Sequence, residues 1–471
     1  MKPTLPTESP PSEPQLPATV EGCHAVIAAL LERVAFLEEK LKVDSRTSSK
    51  PPSGDAPGTP PRKARKKSGR RLGGQVGHKG SFRVMLPPDE VGRHVRCALP
   101  EACPDCGAPV WPDEGKPIRH QVFELPPLQA DVTEYVRERG ACTGCGHRHH
   151  GVLPTGVPRG QLGPRALALV GTLAGQFHLS QAKVRDLLGQ VMGIHFSLGA
   201  ISQAHGHVAQ ALAAPVRELH VEIARAPVRH ADETSHQSHT SLMWLWAQVT
   251  PWGAAFRVDP SRGKLAAQAL LGGAPQGVIV SDRYAGYAWI DASQRQICWS
   301  HLLRDFARIG LRQGLPGRIG RRLEAYGFAL FRWRAAGAGP DRYGWLQKRI
   351  RTQLLAGADQ TLCSRTAKTC RNLLSLWPAL WRFLENPAVP PTNNAAERAL
   401  RGFVIRRKLS YFTRSGRGLR FIEHTFSAVQ TCRLQGRNVF DYMTQALTTW
   451  LAGTSPPSLV PEHLRAAHAT A

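Results

Sequence analysis

Three acidic residues stand where a carboxylate can be offered to a metal ion. Asp232 ends the apolar stretch of APVRHADET, Asp282 follows the Val-Ile-Val run of GVIVSDRYAGY, and Glu397 falls about one turn inside a helix-forming segment, PTNNAAERALR. Three hard oxygen ligands with open positions suit magnesium or manganese, and two such ions about 3.5–4 Å apart can activate water and stabilise a leaving 3' oxygen. That is the chemistry of in-line phosphodiester attack. Each acid also has a plainer reading, since an Asp at a strand end is usually a turn residue and a Glu beside Arg is usually half of a surface ion pair. Glu233 competes with Asp232 for the first position, but strand neighbours point to opposite faces, so only one of them faces the metals.

A second metal chemistry is written in the cysteines. Of ten, four form the pairs Cys103-Pro-Asp-Cys106-Gly and Cys142-Thr-Gly-Cys145-Gly, with 35 residues between the pairs. Each Cys-x-x-Cys turn presents two thiolates, and two turns complete one tetrahedral structural zinc ion, a zinc ribbon-like arrangement, rather than a redox pair or a disulfide framework. His147, His149 and His150 follow but are not needed, because the fourth thiolate closes the site. Cys298-Trp-Ser-His301 is a further Cys-x-x-His pair, read as packing around the core, with Trp299 as either a core residue or a stacking platform for an unpaired base.

These residues need elements to hold them. APVRHADET reads as a strand ending in acid, SLMWLWAQV and GAAFRV as two further strands, SRGKLAAQALLGG as a helix, and GVIVSDRYAGY as a buried strand. Three strands, a helix and a strand describe the start of a ribonuclease H-like sheet, in which the first and fourth strands are neighbours. The 115 positions from Asp282 to Glu397 exceed a direct connection and are helical in pattern, which implies an insertion. The expected organisation is multidomain α/β. It runs as disordered 1–19, a coiled-coil helix at 20–43, a basic flexible linker at 44–82 and a zinc-binding domain at 83–152. A helical, helix-turn-helix-like domain at 160–220 follows, then a catalytic core at 226–297 and 388–450, an insertion at 298–387 and a tail at 451–471. The coiled coil rests on Ile27, Leu30, Val34, Leu37 and Leu41, with an amphipathic helix packed on its own chain as the competing reading. In 160–220, Ser180 and Ser197 are candidate N-caps, Gly193 is a helix stop, and Gln203, His205 and His207 could reach bases, although a plain helical bundle fits as well.

Charge points to a polyanion. Lys and Arg number 61 against 35 Asp and Glu, a formal charge of +26, and the cations cluster. Seven of the ten residues Arg62–Arg71 are basic (Arg62, Lys63, Arg65, Lys66, Lys67, Arg70 and Arg71). A second group, Arg398, Arg401, Arg406, Arg407 and Lys408, follows the third acid and can neutralise flanking phosphates. No signal peptide or membrane-length apolar run is apparent, so a cytoplasmic, nucleoid-associated bacterial protein is expected.

At these residues the chain resembles the transposases of the insertion sequence 66 family. SRTSSKPPSGD with GGQVGHKG resembles the family's N-terminal region, the Cys-x-x-Cys pairs its zinc-binding domain, and DET, SDRYAGY, CWSHLLRDF and NNAAERALR its catalytic domain. The resemblance covers about residues 20–450 and implies a DDE enzyme with Asp232, rather than Glu233, Asp282 and Glu397 as its acids. It also implies DNA as partner, at transposon ends and target, a homo-oligomer in the active complex and possible accessory proteins of the same element. Arg283 departs from the family, where Gly is common, and would add positive charge near the metals. The expected function is metal-dependent hydrolysis at transposon ends followed by 3'-hydroxyl strand transfer. The alternatives are a ribonuclease H-like nuclease without strand transfer and a zinc-containing DNA-binding regulator with an inactive core.

Overall fold

The computed structural model describes residues 19–41, 44, 73, 77–80, 84–112, 115, 117–359, 363–411 and 413–469. The expected disorder before residue 19 and all seven cations of the Arg62–Arg71 arm lie outside the described residues. The chain divides into two units, Pro60–Asp131 and the remainder, Met1–Thr59 with Val132–Ala471. The division falls inside the segment expected as one zinc-binding domain at 83–152.

Among its described residues the smaller unit carries a 3-10 turn at Pro88–Glu90. Its backbone at Leu86 is held by side chains: the Leu86 N–H donates to Gln121 Oε1 at 2.9 Å, and its carbonyl accepts from Gln121 Nε2 at 2.9 Å and Arg119 Nη2 at 2.8 Å.

The larger unit begins with α1 (Val20–Leu41), whose Ile27, Leu30, Val34, Leu37 and Leu41 stripe remains exposed. Its other side meets its own chain, where Ser364 donates to Glu32 and the Arg365 guanidinium lies 5.2 Å from the Phe36 ring. After a short antiparallel ribbon of β1 (Arg139–Ala141) and β2 (Arg148–His150) come α2 (Pro164–Gly175), α3 (Gln181–Met192) and α4 (Leu198–Ala224). Ser180 and Ser197 cap α3 and α4, accepting from the N–H groups of Lys183 and Ala200, and Gly193 ends α3 in the left-handed region at φ 66°. Leu167, Val184, Val208, Leu212 and Leu219 share one core with Phe421, Val429, Tyr442 and Met443 from the C-terminal helices, because the apolar face of α4 continues along its 27 residues.

The sheet follows: β3 (Val228–Ser238), β4 (Ser241–Val249), β5 (Ala254–Asp259), α5 (Lys264–Leu271), β6 (Val278–Ser281) and β7 (Arg295–Ile297). Its order is β5-β4-β3-β6-β7, antiparallel from β3 to β5 and parallel from β3 to β7. The architecture is thus mixed α/β. β3 continues six residues past Asp232 rather than ending in acid, since its pairing with β4 persists to Ser238↔Ser241. Alternation divides the two faces. Ala231, Trp246 and Ile279 pack with α5, whereas Leu245, Ala247 and Val249 pack with Ala396, Ala399, Leu400 and Phe403 of α11 (Asn394–Ser410) and Ile422 and Phe426 of α12 (Gly416–Leu434).

Between β7 and α11 lie α6 (Trp299–Gly310), α7 (Gly314–Ala335), α8 (Pro340–Ala358), α9 (Ser364–Ser375) and α10 (Arg382–Glu385). They share a core with Val228, Val278, Val280 and Ile297, so these helices are fused to the parallel edge of the sheet. The chain ends in α13 (Val439–Leu451) and α14 (Glu462–Ala469). Among the described residues no helix is long and apolar enough to cross a membrane.

Candidate active site

The parallel pairing of β3 with β6 sets His230 opposite Val280. Asp232 and Asp282 each come two residues later, on adjacent chains running the same way. Asp282 sits on a turn whose backbone is gripped by Arg295: the guanidinium donates to the Asp282 carbonyl at 2.6 Å, to Ser281 Oγ at 3.0 Å and to the Tyr287 carbonyl at 3.1 Å. Its own Oδ1 accepts from the Tyr284 N–H at 2.9 Å, and Asp232 Oδ1 accepts from the Glu233 N–H at 3.0 Å.

The third acid arrives on α11, whose entry is fixed by Asn393. This residue occupies the N-cap position but its side chain makes no capping hydrogen bond. Fully buried, it crosses to β3, where Nδ2 donates to the Ala231 carbonyl at 2.8 Å and Oδ1 lies 3.0 Å from His230 Nδ1. Because the amide nitrogen faces a carbonyl, Oδ1 is the acceptor, and His230 carries its proton on Nδ1. The Asn393 N–H donates to Cys298 Sγ at 3.1 Å, and the Trp299 N–H donates to the Pro391 carbonyl at 2.9 Å. Glu397, one turn on, has Oε1 at 3.5 Å from His301 Nδ1 and 3.6 Å from Arg304 Nη2.

The carboxylates repel one another. Burial, and then the charges of Glu233, Asp282 and Glu397, raise the Asp232 carboxyl well above the usual carboxylate range. His301 is pushed the other way, lowered by burial and next by Arg304, against the pull of Asp282 and Glu397.

Glu233 is occupied on the opposite face. Its Oε1 accepts from Arg262 Nε at 2.9 Å with Nη2 at 2.8 Å, and its Oε2 accepts from the Tyr287 hydroxyl at 2.6 Å. Arg262 in turn lies over the rings of Tyr284 and Trp244, at 3.9 and 4.7 Å. Burial still raises the Glu233 carboxyl, despite both donors.

Several expected roles shift once side-chain directions are visible. The Arg283 guanidinium is directed to Asp305 Oδ2 and Asn372 Oδ1, both at 2.9 Å, on α6 and α9. Trp299 is fully buried with its Nε1 donating to the Leu380 carbonyl at 2.8 Å, so it is a core residue rather than a stacking platform. His205 is buried, stacked on Phe421 at 3.9 Å and bonded by Gln181, and cannot reach a base, whereas Gln203 is exposed. On α11, Arg398, Arg401 and Lys408 are exposed. Arg407 instead donates to the Ser235 carbonyl, to Ser235 Oγ at 2.9 Å and to Thr234 Oγ1 at 3.3 Å, and Arg406 is half-buried over Phe421, its pKa pushed down by burial to about 10. A cleft of about 680 Å³ along α11 is lined by Arg398, Arg401 and Arg433 and reaches His230.

The cysteine pairs form two knuckles with the same internal bonding. In the smaller unit the Cys103 N–H donates to the Ala108 carbonyl at 2.8 Å and the Gly107 N–H to the Cys103 carbonyl at 2.9 Å. In the larger unit the Cys142 N–H donates to His147 O at 2.8 Å and the Gly146 N–H to Cys142 O at 2.9 Å. Gly107 and Gly146 have φ of 74° and 73°, a left-handed conformation that glycine adopts without strain. Backbone N–H groups of Asp105 and Cys106 lower the Cys103 thiol below its ordinary value, and those of Cys145 and Gly144 do the same for Cys142.

Sequence reasoning passed over Asn393, His230, Arg262, Tyr287 and Arg295. Only Asn393 carries a local signal, as an Asn at the N-cap position of the helix that bears Glu397. The model of the Transposase IS66 family matches residues 159–420, and that of a family of unknown function (DUF6444) matches residues 4–83. Two uncharacterized proteins of Sinorhizobium fredii (strain NBRC 101917 / NGR234) are similar. With y4hP the identity is 24% over 402 residues, covering 74% of this chain and 70% of that protein. With y4qI it is 27% over 298 residues, covering 54% of each.

Proposed function

Because the chain belongs to the IS66 transposase family, we propose that it cuts and joins DNA strands at the ends of its own element, with Asp232, Asp282 and Glu397 as ligands of two magnesium or manganese ions. One observation carries this reading: two acids at matching positions beyond a parallel strand pair, with the helix of a third acid bolted to the first strand by Asn393. The donor set fits such ions. All three ligands are hard oxygens, Glu397 Oε1 is buried without a hydrogen-bond partner among the described residues, and Asp232 is held toward its protonated form by burial and then by surrounding negative charge.

When bound, divalent ions activate water and stabilise the leaving 3' oxygen. The chain's own residues supply position and charge. Arg295 holds the backbone of Asp282, Asn393 sets the distance of α11 from β3, and Arg398, Arg401 and Lys408 take the flanking phosphates. The strand order, with Asp232 on β3, Asp282 just past the end of its parallel neighbour β6, and α6–α10 inserted before α11, supports a ribonuclease H-like core. The cations of the Arg62–Arg71 arm add phosphate contacts without sequence choice. Each knuckle, Cys103 with Cys106 and Cys142 with Cys145, offers two thiolates of lowered pKa to structural zinc, and zinc per chain in Cys103→Ser and Cys142→Ser tests it. The exposed α1 stripe supports a homo-oligomeric active complex.

The decisive experiment incubates labelled transposon-end DNA and a target duplex with the full chain and magnesium. Nicked and joined products are expected, both lost in Asp282→Ala with end binding retained. Nicks without joining would favour a simple nuclease, and binding without nicks a regulator.

A further inference from the structure

We propose that His301 is a fourth protein ligand at this centre, sharing through Nδ1 the ion held by Glu397 Oε1. The inference rests on the metal reading above and extends it to a residue outside the three acids.

Distance is the first argument. Nδ1 of His301 and Oε1 of Glu397 are 3.5 Å apart, too far for a hydrogen bond. Two donor atoms each about 2.1 Å from one ion, at angles between roughly 90° and 113°, stand about 3.0–3.5 Å apart. The observed separation is that of two ligands sharing an ion.

Unmet bonding is the second argument, and it is independent of the first. Both of these atoms are buried, and neither has a hydrogen-bond partner among the described residues. A buried imidazole nitrogen and a buried carboxylate oxygen left facing each other cost free energy unless a proton or a cation lies between them. Arg304 approaches Oε1 only to 3.6 Å.

Position is the third. His301 sits in the first turn of α6, and the Cys298 N–H that precedes this helix donates to the Ser281 carbonyl at 2.9 Å. The imidazole is therefore carried by the chain that abuts the Asp282 turn, and it feels the charge of Asp282 as well as that of Glu397. Cys298 completes a cluster whose ligand atoms all lie within 4.8 Å, but its sulfur is fully buried and already accepts the Asn393 N–H. Its role is to position α11 and α6, and the nitrogen is the added ligand.

A nitrogen ligand changes metal preference. Imidazole suits manganese and later first-row ions better than magnesium, which favours all-oxygen surroundings. Full-length protein with one equivalent of Mn²⁺ would be studied by electron spin echo envelope modulation, unlabelled and with ¹⁵N-histidine. The expected spectrum shows a coordinated imidazole nitrogen that changes frequency on labelling and vanishes in His301→Gln, with Mn²⁺ affinity lowered about 10–100-fold. The labelled wild type needs no substitution, so absence of nitrogen modulation in it overturns the inference even if the variant fails to fold. Persistence of the signal in folded His301→Gln overturns it equally. Failure of the parent reading looks different: Mn²⁺ binding would then be unchanged in Asp232→Asn and Glu397→Gln.

Discussion

Asn393 donates its side-chain amide to the carbonyl oxygen of Ala231 at 2.8 Å, joining the helix of the third acid to the strand of the first. Its Oδ1 is taken by His230 and its backbone N–H by Cys298, so one buried amide ties three chain segments that meet at the acid cluster. Replacing it with Leu leaves the Ala231 carbonyl, His230 Nδ1 and Glu397 without their frame. Asn393→Leu is expected to cost about 1–3 kcal/mol in urea unfolding and to lower the cleavage rate of the molecules that remain folded, with DNA affinity preserved. Wild-type rates in that variant would show that α11 needs no such tie.

Asp232 gives the centre a dependence on pH. Its folded pKa is raised above its unfolded value by burial and by neighbouring acids, so between those two values the native state binds more protons than the unfolded state. Stability of the metal-free protein therefore falls as pH rises from the ordinary Asp value through the raised one, and metal affinity increases over the same span as the proton leaves. Asp232→Asn should raise the metal-free melting temperature at neutral pH by about 2 °C or more and remove the further increase that Mn²⁺ gives the wild type. Calorimetry with and without Mn²⁺ across pH reads both effects, and a metal-free wild type that grows more stable with rising pH over this span would contradict the assignment.

Glu233 and Asp232 are neighbours with opposite duties. Glu233→Gln keeps an acceptor for Tyr287 but loses the Arg262 ion pair, with an expected cost on the order of 1–3 kcal/mol and cleavage within about tenfold of wild type. Asp232→Asn should lose cleavage by a factor of about 1,000 or more. Single-turnover cleavage, normalised to folded protein, separates the two residues.

Arg283 links the Asp282 turn to the inserted helices through Asp305 and Asn372. Arg283→Gly, which restores the residue common in the family, should destabilise the protein by about 1–2 kcal/mol without changing the salt dependence of DNA binding. A flatter salt dependence would instead mean that Arg283 contacts phosphate.

Two arginines of α11 offer a paired test. Arg401 is exposed and Arg407 is bonded to Ser235 and Thr234. Arg401→Ala should weaken binding to end and random duplexes alike, with a loss of about one unit in the slope of log affinity against log salt. Arg407→Ala should lower stability by about 1–3 kcal/mol and leave that slope unchanged. Equal slopes lost in both variants would place Arg407 at the DNA as well.

Much of the backbone plan was legible in the sequence. The Val-Ile-Val run before Asp282, the alternation of SLMWLWAQV, the serine caps of α3 and α4 and the glycine that ends α3 all act over a few residues, and each left a local pattern. So did the two cysteine knuckles, whose turns are set by glycines immediately after the second cysteine. Side-chain direction was not legible. Arg398 and Arg407 look alike in a basic run, yet a rotation of about 180° around a helix of 3.6 residues per turn sends one to solvent and the other to β3. Arg283 and His301 likewise took their roles from partners far along the chain, Asp305 and Asn372 for one and Glu397 for the other. Sequence fixes which groups are available and how each element repeats. Only the packing of α6 and α11 against the parallel strands decided which groups meet, because distance through space between two elements is set by the side chains buried between them and leaves no periodic trace in either.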